Sequence, residues 1–258
     1  TLFSGEIVTQ SESFADDVED LLHSMGRVDP MDLLRAPSWV PRVTRIGGLK
    51  VLKKFRGIVR DTMDLRLGRM KDDGAAPNDF LTLLLRAAGP EGLTMEEVED
   101  NILTFIGAGH ETTARALAWT LYCVANSPHV RDAMEEEIDR VLASGADPVD
   151  WLDLMPWTRA AFEEAMRLYP PAPSINREAI ADDVWVSPEG ERVEIPKDVT
   201  ILVMPWTLHR HSLLWQKPRA YMPERFLPEN RDGIHRFQYL PFGAGPRICI
   251  GATFAMQE

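Results

Sequence analysis

The most constraining feature of this sequence is an uninterrupted helical pattern from Thr94 to Asn126. Thr94 and Glu97 form a signature in which hydroxyl and carboxylate each satisfy a free backbone N–H, which sets a helix start. No proline follows until Pro128, so the pattern predicts a rod of roughly 48 Å at about 1.5 Å per residue. Val98, Ile102, Phe105, Ile106, Gly109, Ala116, Leu117 and Leu121 make it apolar along its length, so it is expected to cross an interior rather than lie on one. A chain organised around such a rod is expected to be mainly α.

Flanking patterns fill in the rest. Helices are expected over Ser13–Met25, over a basic stretch from about Gly48 to Met70, and after an Asn78 cap until Gly89-Pro90. Ser127-Pro128 starts a helix running to about Leu142, and Pro156 opens one through Tyr169. Only then does strand-like sequence appear, at Val184–Val186, Arg192–Ile195 and Val199–Met204, as one small sheet. From Pro205 to Tyr239 the chain is proline-punctuated and aperiodic, longer than an ordinary connection and therefore expected to serve a site.

With 45% hydrophobic and 26% charged residues, 258 residues suffice for a large core or two modest domains. A net charge of −12 argues against nucleic-acid binding through a basic surface. Between Arg42 and Lys71, however, ten Lys or Arg stand against two Asp, which reads either as a solvated helix face or as a surface for anionic lipid or an acidic partner. Two cysteines, Cys123 and Cys249, make no disulfide framework, so a reducing, cytoplasmic compartment is the simplest expectation. No run approaches the roughly 18 apolar residues of a membrane span.

Cys249 is the residue to explain. It stands in Pro241–Gly251, where Gly243, Gly245 and Gly251 allow main-chain N–H groups to turn toward one sulfur, and a helix start after it would favour the thiolate further. A buried structural cysteine in a glycine turn is the plain alternative. With no partner Cys or His at zinc spacing, a metal here is better served by haem iron, which needs one axial protein ligand. Phe242, Gly245, Arg247, Cys249 and Gly251 stand as F-x-x-G-x-R-x-C-x-G, which resembles the haem-binding loop of the cytochrome P450 family.

That resemblance implies a cytochrome P450-like fold, mainly α with a small β-sheet, and a haem b cofactor. It makes Cys249 the iron ligand, with Phe242 and Gly243 beside the haem, Arg247 on a propionate and Arg177 on the same or a second one. Within Ala108-Gly109-His110-Glu111-Thr112-Thr113, Gly109 lets a flat ligand approach the backbone beside Ala108. Thr112 is placed to bend the helix and open a groove for dioxygen or water. The run resembles the family's acid–alcohol pair, in which Thr112 steadies oxygen while Glu111 relays solvent protons and the O–O bond breaks heterolytically. His110 reads as packing or surface. Glu164 and Arg167 share a helix face, and with Pro223-Glu224-Arg225-Phe226 they resemble the family's E-x-x-R motif and meander arginine. Glu164, Arg167 and Arg225 are thus expected to form a buried network that serves assembly. Trp206, His209 and Arg210 take a scaffold role.

The reading is a monooxygenase that inserts one oxygen atom from O2 into a hydrophobic organic substrate, fed by a ferredoxin- or flavin-type reductase. A peroxide-driven haem-thiolate enzyme and a haem-binding sensor are the alternatives. The former has less need of the Glu111–Thr112 relay, and the latter would bind diatomic gas without NAD(P)H-linked turnover. Phe105, Ile106, Ala108, Thr113, Pro173, Ser174 and Ile175 are candidate pocket residues. The chain is expected to be one partial domain, helix-rich over 1–170, with sheet, meander and cysteine loop over 171–258. It ends about two turns into the helix after Cys249 without a stop signal. It also lacks the Trp-x-x-x-Arg helix that the family places ahead of these motifs. Trp206/Arg210 and Trp215/Arg219 have that spacing but follow the E-x-x-R helix. Both ends therefore read as interior to a longer enzyme, and any membrane anchor would precede Thr1.

Overall fold

The computed structural model describes residue 37, residues 46–71 and residues 76–258. The expected helix over Ser13–Met25 lies outside them. The chain forms two compact units, Thr1–His110 and Glu111–Glu258, dividing within the long helix.

In the first unit, α1 (Ile46–Lys71), α2 (Phe80–Arg86) and the first half of α3 (Met95–Ala125) share one core. Phe55, Val59 and Met63 recur at helical spacing on α1 and meet Leu81 and Leu85 of α2 and Val98, Ile102 and Ile106 of α3. Each such side chain removed from water stabilises by about 1.5–3 kcal/mol. Ile106, a candidate pocket residue, is buried in this core, and Phe105 sets its ring edge against Phe80.

Within the basic stretch Lys50, Lys53, Lys54, Arg60, Arg69 and Lys71 are exposed, as a solvated helix face requires, while Arg56, Arg60 and Arg66 are also paired. Arg56 donates to Glu99 and Asp100, both at 2.6 Å, and Arg60 donates to Glu99 at 2.7 Å. Burial pushes the Glu99 carboxyl up, but the hydrogen bonds from Arg60 and Arg56 outweigh it and hold it below the usual range. Arg66 is fully buried, donating to Asp79 at 2.5 Å and to Thr82 at 2.7 Å. Asp79 also accepts the Thr82 N–H at 3.0 Å, so Asp79 rather than Asn78 caps α2. The α3 start is the expected capping box, with Thr94 N–H donating to Glu97 at 2.8 Å and Glu97 N–H to Thr94 Oγ1 at 3.2 Å.

The rod is present, but its apolar side is not covered throughout. In the second unit Thr113, Ala116, Thr120 and Cys123 are buried, whereas Leu117 is exposed and Leu121 is 70% exposed. The buried stripe runs through small residues at i, i+3, i+7 and i+10, and nothing among the described residues covers the large ones beside it.

The second unit centres on α6 (Pro156–Leu168), buried on every side from Ala160 to Leu168. It follows α4 (Pro128–Ser144), which ends in a left-handed Gly145, then a short 3-10 turn at Pro148–Asp150 and α5 (Trp151–Leu154). Glu137 of α4 caps α6, accepting the N–H groups of Trp157 and Thr158, both at 2.9 Å. The β-structure is small, as expected; it is antiparallel and divides into two pairs instead of one sheet. These are β1 (Ile175–Glu178) with β4 (Thr200–Val203), and β2 (Asp183–Val186) with β3 (Arg192–Ile195). Strand β1 was not foreseen: Ile-Asn-Arg-Glu carries no strand pattern of its own and is extended by its partner's apolar run. Three short helices complete the unit: α7 (Pro205–Leu208), α8 (Pro228–Arg231) and α9 (Ala252–Gln257). Between α7 and the cysteine turn, Trp215, Phe226 and Leu227 pack on Ala160 with Tyr239 against them. No helix among the described residues is long and apolar enough to cross a membrane.

Candidate haem-thiolate site

The cysteine turn is shaped by its backbone. Gly243 and Gly245 have φ of 73° and 76°, the left-handed region that favours glycine. Phe242 O accepts the Cys249 N–H at 2.9 Å and closes the turn, while the Phe242 ring packs on Ala116 of α3 and Phe162 and Met166 of α6. One side of the turn is thus held in the core, and Cys249 is left exposed on the other. The expected crowding of N–H groups onto the sulfur is not seen. The Cys249 N–H is committed to Phe242, the Ala252 N–H reaches Cys249 O at 3.4 Å, and α9 starts only at Ala252. Gly251 does lie against the sulfur, since a Cβ added there would come 3.8 Å from Sγ.

A Cβ at Gly243 would meet Ile175 Cδ1 at 3.6 Å, so β1 runs close to the turn. Arg177, two residues on, shares the strand face of Ile175. It is exposed, with one nitrogen on Asn176 O at 2.8 Å and no other hydrogen bond to the described residues. Arg247 is exposed in the 3-10 turn Gly245–Arg247 and makes no hydrogen bond to the described residues.

Thr112 lies four residues before Ala116, on the α3 face that reaches the Phe242 cluster. Glu111 is ion-paired with Arg115 one turn on, a partner that the spacing rule offers but that the motif reading passed over. The pair is exposed enough to be worth under about 1 kcal/mol, so it restrains the carboxylate without locking it. Ala108 and Gly109 belong to the first unit, Ala108 exposed and Gly109 half-buried, with nothing within 4 Å of a Cβ built on Gly109.

Glu164, Arg167 and Arg225 come together. Arg167 donates Nε and a terminal nitrogen to Glu164 at 2.6 and 2.8 Å, and both residues are fully buried. Arg167 also reaches the carbonyls of His209, Pro218 and Ala220 at 2.6, 2.8 and 3.0 Å. Arg225 adds a 3.3 Å bond to Glu164, and the Met222 N–H a 2.9 Å bond. Trp215 lies beneath Arg167, 5.0 Å from its guanidinium to the ring centre. Beside this network Arg231 makes a fork with Glu163 at 2.6 and 2.8 Å, a pair that no local pattern announced. Arg210 stacks on Trp206 at 3.5 Å and Trp119 stacks on Tyr169 at 3.9 Å, which fixes the end of α6. Cys123, by contrast, is packing: burial pushes its thiol up to about 11.

No cluster of three His, Cys, Asp or Glu exists among the described residues, so they offer no three-ligand metal site at Cys249. A porphyrin-bound iron would bring the rest of its ligands with it. One exposed thiol near two arginines with spare donors fits that group. Fold and site together define a haem-thiolate class of protein.

Comparison with known proteins agrees. The cytochrome P450 family model matches residues 5–258. The rat protein cytochrome P450 4X1 is 36% identical over 192 residues, 73% of this chain and 37% of that protein. Cytochrome P450 3A27 of Oncorhynchus mykiss is 38% identical over 219 residues, 78% of this chain and 41% of that protein. The crystal structure of the cytochrome P450DA heme domain superposes with a TM-score of 0.78 at 29% identity, covering 95% of this chain and 52% of that one. The chain belongs to the cytochrome P450 family, and it spans well under half the length of the curated relatives it matches.

Proposed function

We propose that this chain supplies the haem-holding and proton-handling parts of a monooxygenase. Such an enzyme inserts one oxygen atom from O2 into a hydrophobic organic substrate, with electrons from a ferredoxin- or flavin-type reductase. The observation that carries the reading is the Cys249 thiol, exposed on a turn whose opposite side is pinned by Phe242. Haem b, when bound, supplies the oxygen chemistry. Cys249 Sγ would hold its iron, with Phe242 and Gly243 shaping the surface beside it. Arg247 and Arg177 would each hold a propionate with donors they do not use among the described residues.

Glu111 and Thr112 handle protons. Glu111, paired with Arg115, would relay protons from solvent, while the Thr112 hydroxyl can both accept and donate. Glu164, Arg167 and Arg225 do no chemistry, but hold the segment from His209 to Phe226 against α6. The single-domain reading, with residues 1–170 as its helical part and 171–258 as sheet, meander and loop, belongs to the same proposal. The test is the absorbance of the reduced, CO-treated holoprotein. A red-shifted Soret band that Cys249→Ser removes and Cys123→Ser leaves supports it, and the opposite result overturns it.

A further inference from the structure

His209 is fully buried just after α7, between two parts of the site. Its carbonyl accepts from Arg167 at 2.6 Å, and its ring Nε2 accepts the Leu240 N–H at 2.8 Å. A nitrogen that accepts carries no proton, so the ring is neutral with its proton on Nδ1. Pro241 has no N–H, so the Leu240 N–H is the last main-chain donor before Phe242, whose carbonyl closes the cysteine turn. Through one residue, then, the Glu164–Arg167 network is tied to the turn that carries Cys249.

We propose that neutral His209 is a positioning residue for the cysteine turn, and that protonating its ring releases Leu240 and loosens the turn. A proton added at Nε2 would point at the Leu240 N–H, donor against donor. The charged groups that act on the ring are Arg167 of α6 and Arg210 beside it, both cations, and the Tyr239 ring lies 5.2 Å away. Glu164 and Glu163, on α6, are occupied by Arg167, Arg225 and Arg231. Burial first and Arg167 second pull the imidazole down to about 4, with the Arg167 and Met166 carbonyls pulling weakly the other way. An unfolded histidine titrates near about 6.5. The contribution of His209 is therefore complete above about 6.5 and is lost as pH falls toward about 4.

Amide hydrogen exchange over residues 240–249, corrected for intrinsic rates, tests this in the wild-type chain and in His209→Gln and His209→Asn. Glutamine places an oxygen near the site of Nε2 and does not titrate, whereas asparagine is too short to reach it. At pH 7.5 the asparagine variant should lose protection by about tenfold and the glutamine variant should not. On acidification the wild type should open before the glutamine variant. Equal protection in the two variants at pH 7.5, or opening of wild type and His209→Gln at the same pH, overturns the proposal. Should His209→Asn fail to fold, the acid comparison of the other two decides alone. Only a second readout, the pH at which the reduced-CO band is lost, rests on Cys249 as the haem ligand. Correct exchange behaviour with no such band would count against the haem reading and not against His209.

Discussion

Replacing Glu164 by Gln removes one charge from the most buried polar cluster in the second unit. Glu164 accepts four hydrogen bonds: Oε2 takes Arg167 Nε, and Oε1 takes Arg167, Met222 and Arg225 donors. An amide offers one oxygen and one NH2, so whichever way it turns, at least one N–H faces another N–H. Arg167, with no exposure at all, also loses the only counter-charge it has among the described residues. Breaking one partner of a buried pair costs about 3–5 kcal/mol, against a total stability of about 5–15 kcal/mol. In urea, with a slope of about 1–3 kcal/mol per molar, the midpoint should fall by roughly 1 M or more. Tryptophan fluorescence follows it directly, because Trp215 lies beneath Arg167. Glu229→Gln, at an exposed position, is the control and should not move the midpoint. If Glu164→Gln shifts the midpoint no further than the control, the network contributes nothing net and the reasoning fails. Arg225→Lys keeps the charge but loses the bonds to Gln216 and Lys217 carbonyls, and should fall between the two.

Asp79→Asn should lower the stability of the first unit by about 3 kcal/mol, because it takes a buried carboxylate charge from beside the buried Arg66; proteolysis near α2 at limiting protease would report it. Before cofactor loading, one thiol per native chain should react with iodoacetamide at pH 8, and two after denaturation. Cys249 is exposed, whereas Cys123 is buried with its thiol pushed up to about 11; two fast-reacting thiols in the native chain would contradict the packing of α3. In the holoprotein, Thr112→Ala should keep haem and substrate binding yet divert reducing equivalents to hydrogen peroxide. Product formed per NAD(P)H consumed is the measurement, and an unchanged ratio would remove Thr112 from proton handling.

Local rules were legible wherever the partner is near in sequence. The Thr94–Glu97 box, the Pro128 and Pro156 helix starts and the Gly243 and Gly245 turn follow from neighbours within a few residues. What escaped was decided by distant partners. Asp79 displaced Asn78 as a cap because Arg66, 13 residues earlier, needed a buried carboxylate. Glu137 caps a helix 20 residues later, and β1 exists only because Thr200–Val203 extends it. The apolar run along α3 was read as interior throughout, yet periodicity cannot say whether a neighbour is there to cover Leu117 and Leu121. At the site, Cys249, Glu111 and Thr112 were visible as motifs. The Arg115 partner of Glu111 was within reach of the spacing rule, whereas the His209 contact to Leu240 spans 31 residues and no pattern encodes it.

The three carbonyls read by Arg167 lie 42, 51 and 53 residues further along the chain. At synthesis rates of roughly 5–20 residues per second, α6 leaves the ribosome about 2 to 11 s before its partners are made. In that interval the Arg167 guanidinium has only Glu164, three residues away, to hold. That local pair lets the helix form with its charge already answered, and it sets the donor fork before any long loop closes. Closing a loop of this length is entropically costly once, but the three acceptors lie close together in sequence, so the first contact brings the other two within reach. The segment from His209 to Ala220 should therefore dock in one late, all-or-none step, and an exchange pulse during refolding should find its protected amides appearing together.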